Sequence, residues 1–130
     1  MLDGGRIALI VHRGHVTSET AISASAAAQQ ILVEEIQHQL ARRFREPLTL
    51  EDLAASVGVS TFHASRIFRR LLGTPMHRHL MHLRLLAALE LLDERRGNWS
   101  ALALEVGFSS HSHFTTAFRA AFGRSPKALG

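Results

Sequence analysis

One stretch of the chain occurs twice, and this duplication constrains the fold more than any other feature of the sequence. Five residues reappear 49 positions later in the same order, as the pairs Leu53/Leu102, Ala54/Ala103, Val57/Val106, Gly58/Gly107 and Ser60/Ser109. After one inserted residue, three more reappear 50 positions later, as the pairs Phe68/Phe118, Arg69/Arg119 and Gly73/Gly123. Self-similarity at such a period indicates a repeated structural unit, so we expect both copies to fold alike.

The order of residue types within each copy predicts a helix–turn–helix. A small residue, Ala54 or Ala103, lets the second helix of the pair approach closely. The glycine four residues later, Gly58 or Gly107, takes the positive φ angle that a three-residue turn needs. The serine two positions beyond each glycine then caps the following helix. We therefore expect both glycines to serve the turn rather than a contact.

The second helix of each copy is predicted to have a buried side and a free side. The buried residues are Ile67, Phe68 and Leu71 in the first copy and Phe114, Phe118 and Phe122 in the second. The free side carries residues that can face a partner. They are Phe62, Ser65, Arg66 and Arg69 in the first copy and His111, Ser112, Thr115, Thr116 and Arg119 in the second.

A longer helix is predicted between the two copies. Thr74 is expected to cap it, Pro75 to take its first helical position, and the helix to run to about Arg95. Its apolar residues occupy more than one face, so it should pack against neighbours on two sides. A helix of about 21 residues is ~31 Å long, close to one turn of DNA at about 34 Å.

The remaining elements are also helical. Leu32, Ile36, Leu40 and Phe44 recur every four residues in a helix from about residue 28 that ends before residue 47. Thr49 and Asp52 form an N-cap pattern for a short helix that ends near residue 57. Later signals place helices up to 106, from about 110 to 122, and from 126. The predicted fold class is all-α, with two helix-turn-helix subdomains joined by a long linker helix.

The first residues are harder to assign. Residues 6–11 could form a short buried strand, and residues 17–30, rich in alanine, serine and threonine, could be a linker or the beginning of a helix. We therefore divide the chain into an N-terminal extension (1–27), a remnant of a sensor domain or a linker, and a double helix-turn-helix domain (28–130).

The positive charge is concentrated in the predicted helical domain. Residues 1–41 carry two arginines against four acids, whereas residues 42–130 carry 13 Arg or Lys against seven acids. This excess favours an anionic partner, nucleic acid first, although a solvated surface would give the same count. No cysteine is present, and the apolar run at 7–11 is too short to enter or cross a membrane. We expect a cytoplasmic, nucleoid-associated protein without membrane contact.

Metal binding and catalysis are not favoured by the sequence. Of the nine histidines, His79 and His82 have a spacing that suits zinc, but no carboxylate or thiolate is paired with them. His111 and His113, two apart on a helix, point about 200° from each other. No nucleophile elbow or phosphate-binding loop appears. We predict no metal, no cofactor and no enzymatic activity.

Two stretches of the sequence resemble the DNA-binding domain of AraC/XylS-type bacterial transcription regulators. They are L-A-x-x-V-G-V-S in the first copy and V-G-F-S-S-H-S-H-F-T-T-A-F-R-A-A-F-G-R-S-P in the second, on either side of the long helix after G-T-P. The resemblance covers roughly residues 30–129. It implies a seven-helix, monomeric domain that binds double-stranded DNA and often activates transcription by contacting RNA polymerase.

By position, the resemblance assigns base-reading residues to both copies. They are Phe62, Ser65 and Arg66 in the first and His111, Ser112, Thr115 and Thr116 in the second. At Thr116 the chain departs from the family, many of whose members carry arginine there. An arginine such as Arg66 can reach guanine O6 and N7, or can instead meet a phosphate or form a surface salt bridge. Phe62 either contacts a thymine methyl group or covers the start of its helix.

Other basic and polar residues are expected to meet phosphates, which position a protein without specifying the sequence. They are Ser60, Arg69, Arg70, Ser110, His113, Arg119 and Lys127. For His113, packing beside the buried stripe is the alternative to a phosphate contact.

A competing hypothesis is a helical interaction module that pairs with another chain through residues 17–45. It depends on exposed apolar side chains at Ile31, Leu32, Ile36 and Leu40. A dimer through the residues before 45 would use the same segment.

Overall fold

The computed structural model describes the backbone of residues 18–129 and the side chains of residues 25–129. This part of the chain forms seven α-helices and no strand. They are α1 (Ser18–Arg43), α2 (Leu50–Ser56), α3 (Thr61–Leu72), α4 (Met76–Leu91), α5 (Trp99–Glu105), α6 (His111–Phe122) and α7 (Pro126–Leu129). The all-α prediction is confirmed, and the strand considered at 6–11 lies outside the described residues. The boundary drawn between residues 27 and 28 falls inside α1.

The first unit consists of α1, α2, α3 and the beginning of α4. Val33, Ile36 and Leu40 of α1 are completely buried, and they pack against Leu53, Ile67 and other residues of α2 and α3. The competing interaction module required Ile36 and Leu40 to be exposed, and they are not, although Ile31 remains 48% exposed. The apolar stripe of α1 is part of the core, because α3 covers it.

Local caps fix the helix–turn–helix of the first unit. Thr49 Oγ1 accepts a bond from the Asp52 N–H, and the Asp52 carboxylate accepts one from the Thr49 N–H. These bonds satisfy two donors that the helix start would otherwise leave free, and they lower the pKa of Asp52. Gly58 has φ +77° in the turn, and Ser60 caps α3, as predicted.

The linker helix α4 is shorter than predicted. It ends at Leu91 instead of Arg95, so it is ~24 Å long at 1.5 Å per residue. The Arg95 guanidinium donates to both oxygens of Glu105 in α5, at 2.9 and 3.0 Å, which raises the pKa of Arg95 and lowers that of Glu105. This paired contact ties the residues after Leu91 to the second unit.

The start of α4 differs from the prediction, whereas its packing on two sides agrees with it. Pro75 takes the N-cap position, without a side-chain cap, and not the first helical position that was predicted after a Thr74 cap. Met76 and Leu80 pack into the core of the first unit. Leu85, Ala88 and Leu92 pack into that of the second. The expected packing on two sides is confirmed.

The second unit repeats the first around a core of phenylalanines. The rings of Phe108, Phe114, Phe118 and Phe122 contact one another in sequence, with centroids 5.3, 5.6 and 4.7 Å apart. In the first unit Ile67 and Phe68 are fully buried as predicted, but Leu71, one residue before the end of α3, is 38% exposed.

The inserted residue of the second copy lies in its turn. Ser110, not Ser109, caps α6, with its Oγ accepting from the His113 N–H at 3.1 Å. The turn therefore has one residue more than the turn that leads to Ser60. It accommodates this residue while burying the Phe108 ring, which is 2% exposed. Within residues 18–129, no helix has the length and apolar content that a bilayer span requires.

Candidate nucleic-acid interface

The second helix of the first unit, α3, presents a continuous exposed face. Phe62 is 76% exposed, Arg66 and Arg69 are exposed, and Ser65 is half-buried. Because residues three and four apart lie on one side of a helix, these side chains share the face opposite the buried Ile67. The free side predicted for the first copy is confirmed as a surface.

His63 lies in the first turn of α3 and was not among the site residues predicted from the sequence. Its N–H donates to Ser60 Oγ at 3.1 Å. Its ring nitrogen Nδ1 lies 3.4 Å from Arg66 Nη2, a separation at which the imidazole can accept a bond from the guanidinium. The spacing of three residues between His63 and Arg66 is the sequence signal that could have indicated this contact. His63 therefore influences where the Arg66 side chain lies.

The second helix of the second unit, α6, presents the corresponding face. His111, Ser112 and Thr116 are exposed, and Thr115 is half-buried. The His111 ring is near α5, since its Nδ1 lies 3.3 Å from Ser100 Oγ. Ser112, Thr115 and Thr116 share one side of α6, because they are three and four residues apart. His111 lies apart from them, because it precedes Phe114 by three residues and is directed towards α5.

The residues predicted to meet phosphates have varied surroundings. The hydroxyls of Ser60 and Ser110 cap α3 and α6. Arg70 donates to Gln29 on α1, so its side chain is directed towards α1. The exposed His113 packs the edge of its ring on Phe108 with centroids 5.3 Å apart, the alternative considered from the sequence.

The remaining phosphate candidates are exposed cations. Arg69, Arg119 and Lys127 all lie on the surface. Among residues 25–129, the arginines that pair with a carboxylate lie outside α3 and α6, at Arg43, Arg95 and Arg96. The charge on the two exposed helices is thus available to an anionic partner.

Arg84, in the middle of α4, was not predicted to have any special role, yet it is buried, with 8% of its surface exposed. Its Nε donates to the carbonyl oxygen of Phe44 at 2.6 Å and its Nη2 to that of Glu46 at 2.9 Å. Burial lowers the pKa of Arg84. Its acceptors lie 40 and 38 positions earlier in the chain, so no local pattern could have indicated them.

Gly107 lies against this contact, which corrects the expectation that both turn glycines serve only the turn. At Gly107 (φ +109°) an added Cβ would be 2.6 Å from Arg84 Nε and 2.6 Å from the Phe44 carbonyl oxygen. At Gly58 an added Cβ would meet nothing within 4 Å. Gly58 therefore serves the turn alone, whereas Gly107 is needed both for the turn and for a close approach.

Histidines of the described segment do not assemble with acids into a metal site. Within that segment, no group of three or more histidine, aspartate or glutamate side chains is close enough to hold an ion. His79 instead packs edge-on against Phe68, with ring centroids 5.6 Å apart. Burial, and to a lesser degree the charge of His82, lowers the pKa of His79.

Comparison with known proteins gives a consistent family. Residues 53–129 match the model of a family described as "Helix-turn-helix domain". The HTH-type transcriptional regulator ArgR of Pseudomonas aeruginosa is 35% identical over 82 residues, which are 63% of this chain and 25% of that protein. The chain thus spans about a quarter of the length of this curated relative.

Solved structures share the fold. An AraC-type DNA-binding domain-containing regulator from Chromobacterium violaceum is 32% identical, with a TM-score of 0.68 over 78% of this chain and 91% of that one. The DNA-binding domain of AdpA, described as a global transcriptional factor and solved in complex with a target DNA, is 29% identical, with a TM-score of 0.69 over 75% of this chain and 87% of that one. This chain belongs to the AraC-type family of helix-turn-helix DNA-binding domains.

Proposed function

We propose that the protein is a transcription regulator that binds duplex DNA by inserting α3 and α6 into successive segments of the major groove. The observation that carries the proposal is the presence of two helix–turn–helix units, each with a second helix that is buried on one side and exposed on the other. A major groove admits one such helix, and the base edges it exposes distinguish all four base pairs. The solved complex of AdpA with DNA supports the same use of this fold.

In this proposal the exposed faces divide into two kinds of contact. Base edges are read by Phe62, Ser65 and Arg66 from α3 and by His111, Ser112, Thr115 and Thr116 from α6. Phosphates are contacted by Ser60, Arg69, Arg70, Ser110, His113, Arg119 and Lys127. For Arg70, binding would require exchange of its bond to Gln29. For the two serines, a phosphate would approach a helix N-terminus, where free N–H groups favour an anion.

A gel-shift titration with duplex DNA in rising salt tests the proposal. Each phosphate contact releases a counterion, so log K falls by about 0.9 per contact for each unit of log salt concentration. We expect affinity to fall steeply with salt, and Arg119→Ala to reduce the slope by about one. An affinity that does not change with salt would exclude phosphate contacts.

The effect on transcription and the assembly state are further parts of the proposal. We propose that the bound protein acts as a monomer and activates transcription through RNA polymerase, as its family membership suggests. A DNA site selected by the protein from a random duplex pool can be placed in a promoter, and the activity of a reporter behind it should rise when the chain is expressed. Sedimentation should give the mass of one chain. The competing interaction module has lost its main support, because Ile36 and Leu40 are inside the core.

A further inference from the structure

Three segments of the chain meet around the buried Arg84, at a point that we call the junction and define as Phe44, Arg84 and Gly107. Phe44 follows the last residue of α1, Arg84 lies in α4, and Gly107 lies in the turn between α5 and α6. The end of α1, the linker helix and the turn of the second unit therefore come together here. The two units are thus connected by more than the peptide chain of α4.

Hydrogen bonds from Arg84 connect α4 to the segment that follows α1. Nε and Nη2 donate to the carbonyl oxygens of Phe44 and Glu46, at 2.6 and 2.9 Å. The Phe44 carbonyl lies at the C-terminus of α1, where carbonyls have no partner within the helix and a cation is favoured. The two-point geometry of a guanidinium can hold both carbonyls in a fixed direction, which a single ammonium could not do. The segment between α1 and α2 is thereby tied to α4.

Gly107 brings the second unit into contact with Arg84 and Phe44. A Cβ at this position would overlap both Arg84 Nε and the Phe44 carbonyl oxygen, so the turn of the second unit rests directly on their hydrogen bond. Phe44 also packs its half-buried ring against the cores of both units. A shift of either unit would have to disturb this hydrogen bond or this packing.

We propose that Arg84 is a positioning residue that fixes the orientation of α3 relative to α6, and so sets the spacing between the two DNA segments that are read. The inference rests on the proposed DNA-binding function. Each unit has its own hydrophobic core, so each reading helix keeps its local packing when the junction is loosened. The expected consequence is a loss of spacing discrimination, with each half of the site still bound.

The test uses duplexes whose two halves are moved apart or together by one and two base pairs. Sites selected from a random duplex pool by the full chain supply the sequence, and a duplex with one half scrambled measures binding by a single unit. One inserted base pair rotates the second half by about 35°, because a turn holds 10–10.5 base pairs. Affinities are measured for the unaltered chain, Arg84→Met and Arg84→Lys. Arg78→Met, at an exposed arginine on the same helix, is the control.

We expect the unaltered chain and Arg78→Met to lose at least tenfold in affinity when one base pair is inserted or removed. The affinity of Arg84→Met should fall less than threefold on the same change of spacing. Its affinity for the half-scrambled duplex should stay within about twofold of that of the unaltered chain. Arg84→Lys, which keeps the charge but not the fork, should lie between them, and it provides the comparison if circular dichroism shows that Arg84→Met is unfolded.

Two results would overturn the inference. One is a spacing profile with the same optimum and steepness in the folded Arg84 variants as in the unaltered chain, whatever happens to overall affinity or melting temperature. The other is an affinity of the unaltered chain that does not depend on the spacing of the two halves. That result would contradict the inference but not the proposal that the protein binds DNA. Failure of the unaltered chain to bind any duplex would instead overturn the proposed function, and this inference with it.

Discussion

Arg66 and Thr116 occupy equivalent positions on the two exposed helices. Each lies six residues after its helix cap, Ser60 for α3 and Ser110 for α6, and both are exposed. One helix thus presents a planar guanidinium where the other presents a single hydroxyl. An arginine can donate two parallel bonds to guanine, whereas a hydroxyl offers one point of contact and distinguishes bases less sharply.

We predict that α3 carries most of the sequence preference. Arg66→Ala should relax the preference at one or two base pairs in one half of the site, with a loss of about 1–3 kcal/mol of discrimination. Thr116→Ala should reduce the preference in the other half less. The measurement is the affinity of each variant for a set of single-base-pair substitutions at fixed salt and pH.

Arg69→Ala is the matched control for this prediction, because Arg69 lies one turn further on the same face. As a phosphate contact it should weaken binding to all sequences equally. If Arg66→Ala behaves like Arg69→Ala, Arg66 contacts a phosphate and α3 is not the main reader.

The two turn glycines should respond differently to alanine. Gly58→Ala is expected to cost about 1–2 kcal/mol, because φ is positive but the space around the added methyl group is open. Gly107→Ala should lose a further ~1–3 kcal/mol, because its Cβ overlaps Arg84 and the Phe44 carbonyl. Urea unfolding of both variants measures the difference. Equal losses would mean that the close approach at Gly107 relaxes freely.

Acid should destabilise the fold through His79. Its pKa is lowered in the folded state, first by burial and then by His82, so the unfolded chain binds more protons just below the ordinary value of 6.5. Stability should therefore fall as the pH drops through about 6.5 and level off once the folded-state pKa is passed. His79→Gln should remove part of this fall.

The exposed His77 provides the control on the same helix. The dependence of the melting temperature on pH between 7.5 and 5 is measured for His77→Gln and for His79→Gln, and it should be the flatter in His79→Gln. His82→Gln should reduce the fall without abolishing it, since His82 is the smaller cause. An identical pH dependence in the unaltered chain and in His79→Gln would show that His79 does not contribute.

Local signals were sufficient to predict most of the fold. The Thr49 and Ser60 caps, the glycine turns and the apolar spacing of α3 and α6 all involve residues within about four positions of one another, and such patterns can be recognised in one sequence. The exposed faces followed from the same spacing. Side-chain exposure on α3 and α6 was therefore predictable before any tertiary contact was known.

What could not be predicted depends on contacts between distant segments. The sequence left open whether Ile36 and Leu40 pack within this chain or against another, because that depends on α3 covering α1. The end of α4 is influenced by Arg95 bonding to Glu105. Arg84 is the clearest example, because a charged residue in an apolar helix normally indicates a solvated position. Its burial is made favourable by backbone carbonyls of another element.

Hydroxyl-radical footprinting on a selected site tests the central claim most directly. Two helix–turn–helix units on one linker helix should protect two segments about 10 base pairs apart on the same face of the duplex. The α4 helix is ~24 Å long and one turn of DNA is about 34 Å, so α4 alone does not span the separation of the two segments. We expect two protected segments, with Thr116→Ala and Arg66→Ala each weakening one of them. Protection confined to a single half-turn would contradict binding through both helices.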